Sequence, residues 1–175
     1  MMLFFLIMIA GIIAQCCIIC KKELGRKVPH GYLLLGFVTL CQSYIVTFVC
    51  SRYTPSSVVI VATITLSAFL GLSFYAMTTK RDLTIFMSMA FGISFMMITM
   101  FFVMLFFAPP WMMMIYSFFG VIASLLFIII DTEMIMKSRK YGITYDDYIK
   151  ASLVLYLDII NLFLNLLKLL GNIGD

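Results

Sequence analysis

The feature that most limits what this chain can fold into is a series of six apolar stretches separated by short charged or proline-containing segments. The stretches cover residues 1–20, 31–51, 57–77, 83–107, 111–136 and 148–170. Each approaches or exceeds the roughly 20 apolar residues that an α-helix needs to cross a bilayer. No stretch alternates apolar and polar residues as a strand of a membrane barrel does. The sequence therefore predicts an all-α membrane protein, a bundle of six transmembrane helices forming one polytopic domain over residues 1–175.

The composition excludes several classes of protein. Of the 175 residues, 64% are apolar and 11% are charged, whereas a soluble domain has about 45–50% and about 25%. The mean hydropathy of +1.14 agrees. A soluble globular domain and a disordered chain are both excluded, and no segment has the charge density of a nucleic-acid-binding surface. We expect the lipid bilayer to be the main partner.

The basic residues predict an orientation. Ten of the twelve Lys and Arg residues follow the first, third and fifth stretches: Lys21, Lys22, Arg26, Lys27, Lys80, Arg81, Lys137, Arg139, Lys140 and Lys150. Only Arg52 and Lys168 lie on the other side. Because short basic loops stay on the cytoplasmic side, both termini should face away from the cytoplasm, or from the matrix in a mitochondrial inner membrane.

The five cysteines and the single histidine do not indicate a site. Cys17 and Cys20 have the C-x-x-C spacing of redox and zinc sites, but inside an apolar stretch cysteine acts as a small packing residue. His30 lies ten residues beyond Cys20 and completes no zinc spacing. Because there is also no paired nucleophile and base and no glycine-rich phosphate loop, we expect neither enzymatic activity nor a cofactor.

Small residues four positions apart predict where helices approach closely. The pairs are Ser67/Gly71, Ser88/Gly92 and Gly120/Ser124. These pairs indicate close packing of helices in a compact bundle and do not indicate a catalytic site.

Two aspartates lie at membrane depth. Asp131 precedes Lys137 by six residues and Asp158 follows Lys150 by eight, which corresponds to about 9 Å and about 12 Å along a helix. Ionisable residues at such depth are costly unless paired, and indicate function. Because both lie in the same half of consecutive antiparallel helices, we expect their carboxyl groups to come within direct or one-water hydrogen-bonding reach.

Such a pair has two interpretations. Two facing carboxylates do not both ionise readily and would share a proton, and once deprotonated they suit a hard cation such as Ca²⁺. Asp131 and Asp158 would then be proton-sensing, cation-facing residues. Alternatively, each aspartate hydrogen-bonds a neighbouring helix and has no further role. Glu133 should point to another face and reach the lipid headgroups.

These residues also carry a resemblance. FIIIDTEMIM (127–136) is similar to the "YDTQ" region of the Bax-inhibitor family, most closely its lifeguard branch, and DDYIKASLVLYLDIINLFLNLLKLLG (146–171) resembles that family's closing signature. TTKRDLT (78–84) resembles the loop between the family's fourth and fifth helices, and residues 29–84 follow the lifeguard pattern. The resemblance covers about residues 25–171.

The resemblance implies a seven-helix bundle in internal membranes, a Ca²⁺ leak gated by protonation of two aspartates, and restraint of cell death. The family's aspartate pair maps onto Asp131 and Asp158. The six stretches correspond to the family's helices two to seven, so its first helix should be absent, and residues 1–20 carry no counterpart of the arginine that bacterial members have on their second helix.

Two functions remain open from the sequence. The first is a pH-sensitive Ca²⁺ leak channel or H⁺/Ca²⁺ exchanger-like protein of an endomembrane, the ER or Golgi, that modulates cell death. The second is a non-transporting structural or accessory subunit of a larger membrane complex, with the mitochondrial inner membrane as its setting. In that case other membrane subunits should cover residues 1–20.

Overall fold

The computed structural model of the chain describes residues 2–20, 30–79, 84–107, 109–136 and 148–171. These residues form six helices: α1 (Met2–Cys20), α2 (His30–Cys50), α3 (Pro55–Thr78), α4 (Thr84–Phe106), α5 (Pro110–Met136) and α6 (Tyr148–Leu170). Each helix begins and ends within two residues of the predicted stretch. The prediction of an all-α, six-helix fold is confirmed.

Five of these helices, α2 to α6, are long and apolar enough to cross a membrane. Helix α1 contributes a shorter apolar segment, Leu6–Ile18, within the part whose side chains are described. The protein is therefore a multi-pass integral membrane protein. The basic segments at 21–27, 80–81 and 137–140, on which the predicted orientation depends, lie outside the described residues.

The sequence sets two of the helix ends. Helix α3 begins at Pro55, whose fixed φ and missing N–H suit the first turn of a helix. Helix α6 ends before Gly171, whose N–H donates to the Leu167 carbonyl at 2.9 Å. A Cβ on Gly171 would collide with that carbonyl and lie 2.6 Å from the Tyr53 ring. Glycine at this position therefore lets the turn between α2 and α3 pack against the end of α6.

Helices α5 and α6 form the centre of the bundle. They make its most extensive helix contact, α3 packs on both of them, α4 packs on α5, and α2 packs on α6 and carries α1. One core cluster contains Ile128 of α5 with Leu162 and Leu167 of α6, all fully buried. A second cluster joins α1, α2 and α6 through Ile18, Val38 and Leu153.

Only one of the three predicted small-residue pairs lies at a helix contact. A Cβ on Gly71 or Gly92 would meet nothing within 4 Å among the described residues. A Cβ on Gly120 would lie 2.7 Å from Asn165 Cγ. The prediction is wrong for α3 and α4 and right for α5, because a small residue permits a close approach only where a partner helix is present to make it.

The cysteine side chains that are described act as packing residues or face outward. Cys41 is buried and would lie 3.2 Å from a Cβ placed on Gly11, so it fills the contact between α1 and α2. Cys16 and Cys17 are free thiols. The side chains of Cys20 and His30 lie outside the described set.

Candidate functional site

Asp131 and Asp158 face each other across the contact between α5 and α6. Their carboxyl groups lie within hydrogen-bonding reach of one another. Asp158 is buried and Asp131 is half-buried. Since an ionised carboxylate only accepts hydrogen bonds, a bond between two carboxyl groups requires a proton on one of them. The structure therefore brings the two predicted residues together as a pair that can hold a proton between two helices.

The packing of the two helices explains why these residues meet. The chain direction reverses between α5 and α6, and Ile128 shares a buried cluster with Leu162. Asp131 lies three residues after Ile128 on α5, and Asp158 lies four residues before Leu162 on α6. The apolar contact thus holds the two carboxyl groups against each other at the same depth.

A cavity of about 300 Å³ opens beside the pair, among α4, α5 and α6. Its polar lining comes from two helices: Tyr116, Ser124, Asp158, Asn161, Asn165 and Lys168. Tyr116 lies near the start of α5 and Lys168 near the end of α6. The cavity therefore runs from Asp158 towards the end of the bundle formed by Pro110 and Leu170.

The α6 side of this cavity is a polar stripe, which we define as Asp158, Asn161, Asn165 and Lys168. The residues follow one another at intervals of three, four and three positions, so they share one face of the helix. Sequence reasoning identified only the first of them. The three-four-three spacing of polar residues in an otherwise apolar helix is the signal that would have found the other three.

Hydrogen bonds within each helix hold the cavity wall in place. Asn165 Nδ2 donates to the Asn161 carbonyl at 3.0 Å, and Ser124 Oγ donates to the Gly120 carbonyl at 2.9 Å. The missing side chain of Gly120 leaves the space that the Asn165 amide occupies. The closest approach of the stripe to α5 therefore depends on one glycine.

The oxygens beside the cavity fit a passing hard cation better than a tightly bound one. Asp158 Oδ2 is buried and has no hydrogen-bond partner within the described part of the chain. Ca²⁺ takes six to eight oxygen ligands, but among the described residues no third His, Cys, Asp or Glu joins the aspartate pair. Amide and hydroxyl oxygens of the cavity or water would have to supply the remaining ligands.

Glu133 does not lie where the sequence led us to expect. We predicted that it reaches the headgroups, but the residue is only 3% exposed. Its neighbours Ile130 and Thr132 are buried as well. Helix α5 thus stays covered by protein almost to its end, so the depth of Glu133 along the helix does not determine its exposure.

Comparison with known proteins agrees with this architecture. Residues 1–175 match the family described as inhibitor of apoptosis-promoting Bax1. The chain is 29% identical over 157 residues to protein lifeguard 3 of Mus musculus, covering 87% of this chain and 51% of the relative. The corresponding protein of Homo sapiens is 28% identical over 157 residues, covering 87% and 50%.

A second relative is more similar over a shorter length. Protein lifeguard 4 of Mus musculus is 36% identical over 139 residues, covering 79% of this chain and 56% of that protein. The chain spans about half the length of the curated relatives it matches. Together with the six-helix membrane fold, these matches show that the chain belongs to the Bax-inhibitor family, in its lifeguard branch.

Proposed function

We propose that the protein is a pH-sensitive pathway for Ca²⁺, either a leak channel or an H⁺/Ca²⁺ exchanger, with Asp131 and Asp158 as its proton-sensing, cation-facing groups. The observation that supports this most is the contact between two carboxyl groups beside a polar cavity in a membrane bundle. The proposal involves no enzymatic step and no cofactor. Ca²⁺ is the transported ion.

The chemistry of the pair couples the proton to the cation. With one proton bound, the carboxyl groups form a hydrogen bond that joins α5 to α6. With that proton lost, two negative charges stand at hydrogen-bond distance and repel each other. A divalent cation neutralises both charges, so Ca²⁺ and H⁺ compete for the same oxygens. Conditions that remove the proton therefore favour cation entry.

Reconstitution tests the proposal. Purified protein in liposomes that contain a Ca²⁺ indicator should pass Ca²⁺ at a rate that changes between roughly pH 5 and pH 8. Asp131→Asn and Asp158→Asn should each abolish this pH dependence, because the remaining carboxylate no longer shares a proton and the amide does not bind one. Glu133→Gln is the matched control, since it neutralises a buried acid two residues from Asp131. It should keep the wild-type dependence of Ca²⁺ flux on pH.

Two results would contradict the transport proposal. One is the absence of Ca²⁺ flux at every pH in that range from protein that is monodisperse and helical. The other is an unchanged pH profile in the double variant Asp131→Asn/Asp158→Asn. Either result would leave the aspartates as groups that join α5 to α6 by a hydrogen bond.

The alternative, a structural subunit, rests on the outer face of α1. Leu6, Ile9 and Ile13 are each at least half exposed, and either lipid or another membrane protein could cover them. A photo-crosslinker at Ile9 tests this in the native membrane, with one at Val59, which is exposed on α3, as the control. A single protein adduct from Ile9 alone supports the subunit hypothesis, whereas lipid adducts from both positions contradict it.

We further propose a setting for the protein. The family points to restraint of cell death in an ER or Golgi membrane, with the mitochondrial inner membrane as the alternative. Both termini should face away from the cytoplasm or matrix. A cysteine introduced in the 137–147 segment should react with a reagent confined to the cytoplasmic side. Protection there, with labelling only from the other side, would reverse the orientation.

A further inference from the structure

We infer that Lys168 is an electrostatic gate, whose ammonium group limits the entry of cations from the Leu170 end of the cavity towards Asp158. This inference rests on the proposed function, because it assigns one more residue to the same pathway. Lys168 lies in the last turn of α6 and lines the cavity. It is ten residues from Asp158, or about 15 Å along the helix axis.

The described lining of the cavity places no acidic side chain beside Lys168. Among the described lining residues, Asp158 is the only carboxylate, and it lies at the far end of the polar stripe. The residues between them, Asn161 and Asn165, are neutral amides. A cation that enters at this end therefore meets the ammonium group of Lys168 before the carboxylate of Asp158.

The size of the barrier follows from Coulomb's law. In water, a divalent cation about 6 Å from an ammonium group is repelled enough to lower its occupancy roughly tenfold. A monovalent cation at the same distance loses roughly threefold, because the repulsion is proportional to the charge of the ion. A gate of this kind therefore opposes Ca²⁺ more than K⁺, and its removal should change the ratio of the two fluxes.

Lys168 could instead be an interfacial anchor whose stem lies along apolar surface while its charge reaches water. Arg52 allows the two roles to be separated. It is exposed and lies at the same end of the bundle, since the adjacent Tyr53 contacts Gly171 at the end of α6. Arg52 does not line the cavity, so Arg52→Gln removes the same surface charge without touching the pathway.

The flux experiment compares these variants in liposomes. Lys168→Gln should raise Ca²⁺ flux about tenfold and K⁺ flux about threefold, while Lys168→Arg and Arg52→Gln should stay within about twofold of the wild type. The increase should be largest at low salt and should shrink as added salt screens the ammonium group. If the wild type passes Ca²⁺, an equal flux response to Lys168→Gln and Arg52→Gln, or no response to either, would overturn the gate.

A second measurement does not depend on transport. Asn161 lies in the cavity seven residues before Lys168, so a cysteine at Asn161 reports which reagents enter. A cationic methanethiosulfonate should label Asn161→Cys about threefold faster when Lys168→Gln is added, whereas a neutral reagent should label both equally. Labelling of the native cysteines, measured in the protein that retains Asn161, is subtracted.

The two measurements separate the two proposals. If the wild type passes no Ca²⁺ but the cationic reagent responds to Lys168→Gln, the gate is supported and the transport proposal is wrong. If Ca²⁺ flux depends on pH but neither flux nor labelling responds to Lys168→Gln, the transport proposal is supported and the gate is wrong.

Discussion

Helices α4 and α5 follow one another in the chain and are both long and strongly apolar, but they occupy different environments. Helix α4 buries only Ala90, whereas α5 buries the apolar run Ile128–Ile130 and the polar residues Ser117 and Ser124. The lipid tails around a membrane protein are as apolar as leucine. Apolarity therefore places a helix in the membrane without determining whether it lies at the centre or the edge of the bundle.

The polar groups account for the difference. Helix α4 contains no ionisable residue, while α5 contains Asp131 and Glu133 and meets the polar stripe of α6. Polar groups in a membrane are costly when exposed to lipid and favourable when they meet each other. The helix that carries them is consequently the one that must be enclosed by its neighbours.

The largest loss of stability should come from removing apolar contacts at the centre of the helix bundle. Ile128 of α5 is fully buried, whereas Phe91 of α4 is 76% exposed. We expect Ile128→Ala to lower the free energy of unfolding by about 2–5 kcal/mol, because it loses buried contacts and leaves a cavity. Phe91→Ala should cost less than about 0.5 kcal/mol. Unfolding in mixed micelles measures both, and similar losses would mean that α4 is as well packed as α5.

The sequence predicts the helices better than their arrangement. Charged or proline-containing segments bound each apolar stretch, so every helix end was predicted within two residues. The aspartate pair can also be predicted from the sequence, because the depths of Asp131 and Asp158 in the membrane can be counted from flanking lysines. Both predictions depend only on the position of a residue along the axis of its own helix.

Properties that depend on the rotation of a helix could not be predicted in this way. Glu133 is buried although it lies near the end of α5. A Cβ on Gly92 would meet no described residue within 4 Å, although Gly92 is four positions from a serine, as Gly120 is in α5. The cavity is not predictable for the same reason, because it requires knowing that Asn161 and Lys168 line the same space as residues of α4 and α5. The lipid-facing and protein-facing sides of an apolar helix differ too little in composition to reveal its rotation.

The second effect concerns pH, and should be confined to the contact between α5 and α6. On the proposed mechanism, raising the pH removes the proton that the aspartate pair shares and leaves two like charges side by side. We expect a loss of stability of about 1–3 kcal/mol, the usual cost of leaving a buried polar group without its hydrogen bond. Stability should therefore fall with rising pH in the wild type, as measured by thermal unfolding at a series of pH values.

The variants Asp131→Asn and Glu133→Gln test the origin of this slope, the decrease of stability with rising pH. Asp131→Asn should flatten it, because an amide donates a hydrogen bond to Asp158 at any pH. Glu133→Gln keeps both aspartates, so the part of the pH dependence that comes from the pair should remain. A slope that survives in Asp131→Asn would assign the pH dependence to other ionisable groups and remove the aspartate pair as its cause.

The smallest difference in stability is expected between two glycines that each lie four positions from a serine, Gly120 and Gly92. Gly120→Ala should destabilise the protein by about 1–2 kcal/mol, because overfilling a packed contact costs about 1–3 kcal/mol and the new Cβ would lie 2.7 Å from Asn165 Cγ. Gly92→Ala should be neutral or stabilise by up to about 1 kcal/mol, the difference in helix propensity, since nothing described lies within 4 Å. The same unfolding measurement in mixed micelles distinguishes the two.

A double variant identifies the cause of the Gly120 effect. If the Asn165 amide is what the added methyl group meets, Asn165→Ala should remove the penalty, so that Gly120→Ala costs about 1 kcal/mol less in that background than in the wild type. Gly92→Ala should have the same effect with or without Asn165→Ala, because it shares no contact with that residue. Additive effects at Gly120 and Asn165 would show that the two helices are not held by this contact. The central position of α5 would then depend on its apolar contacts and the aspartate pair alone.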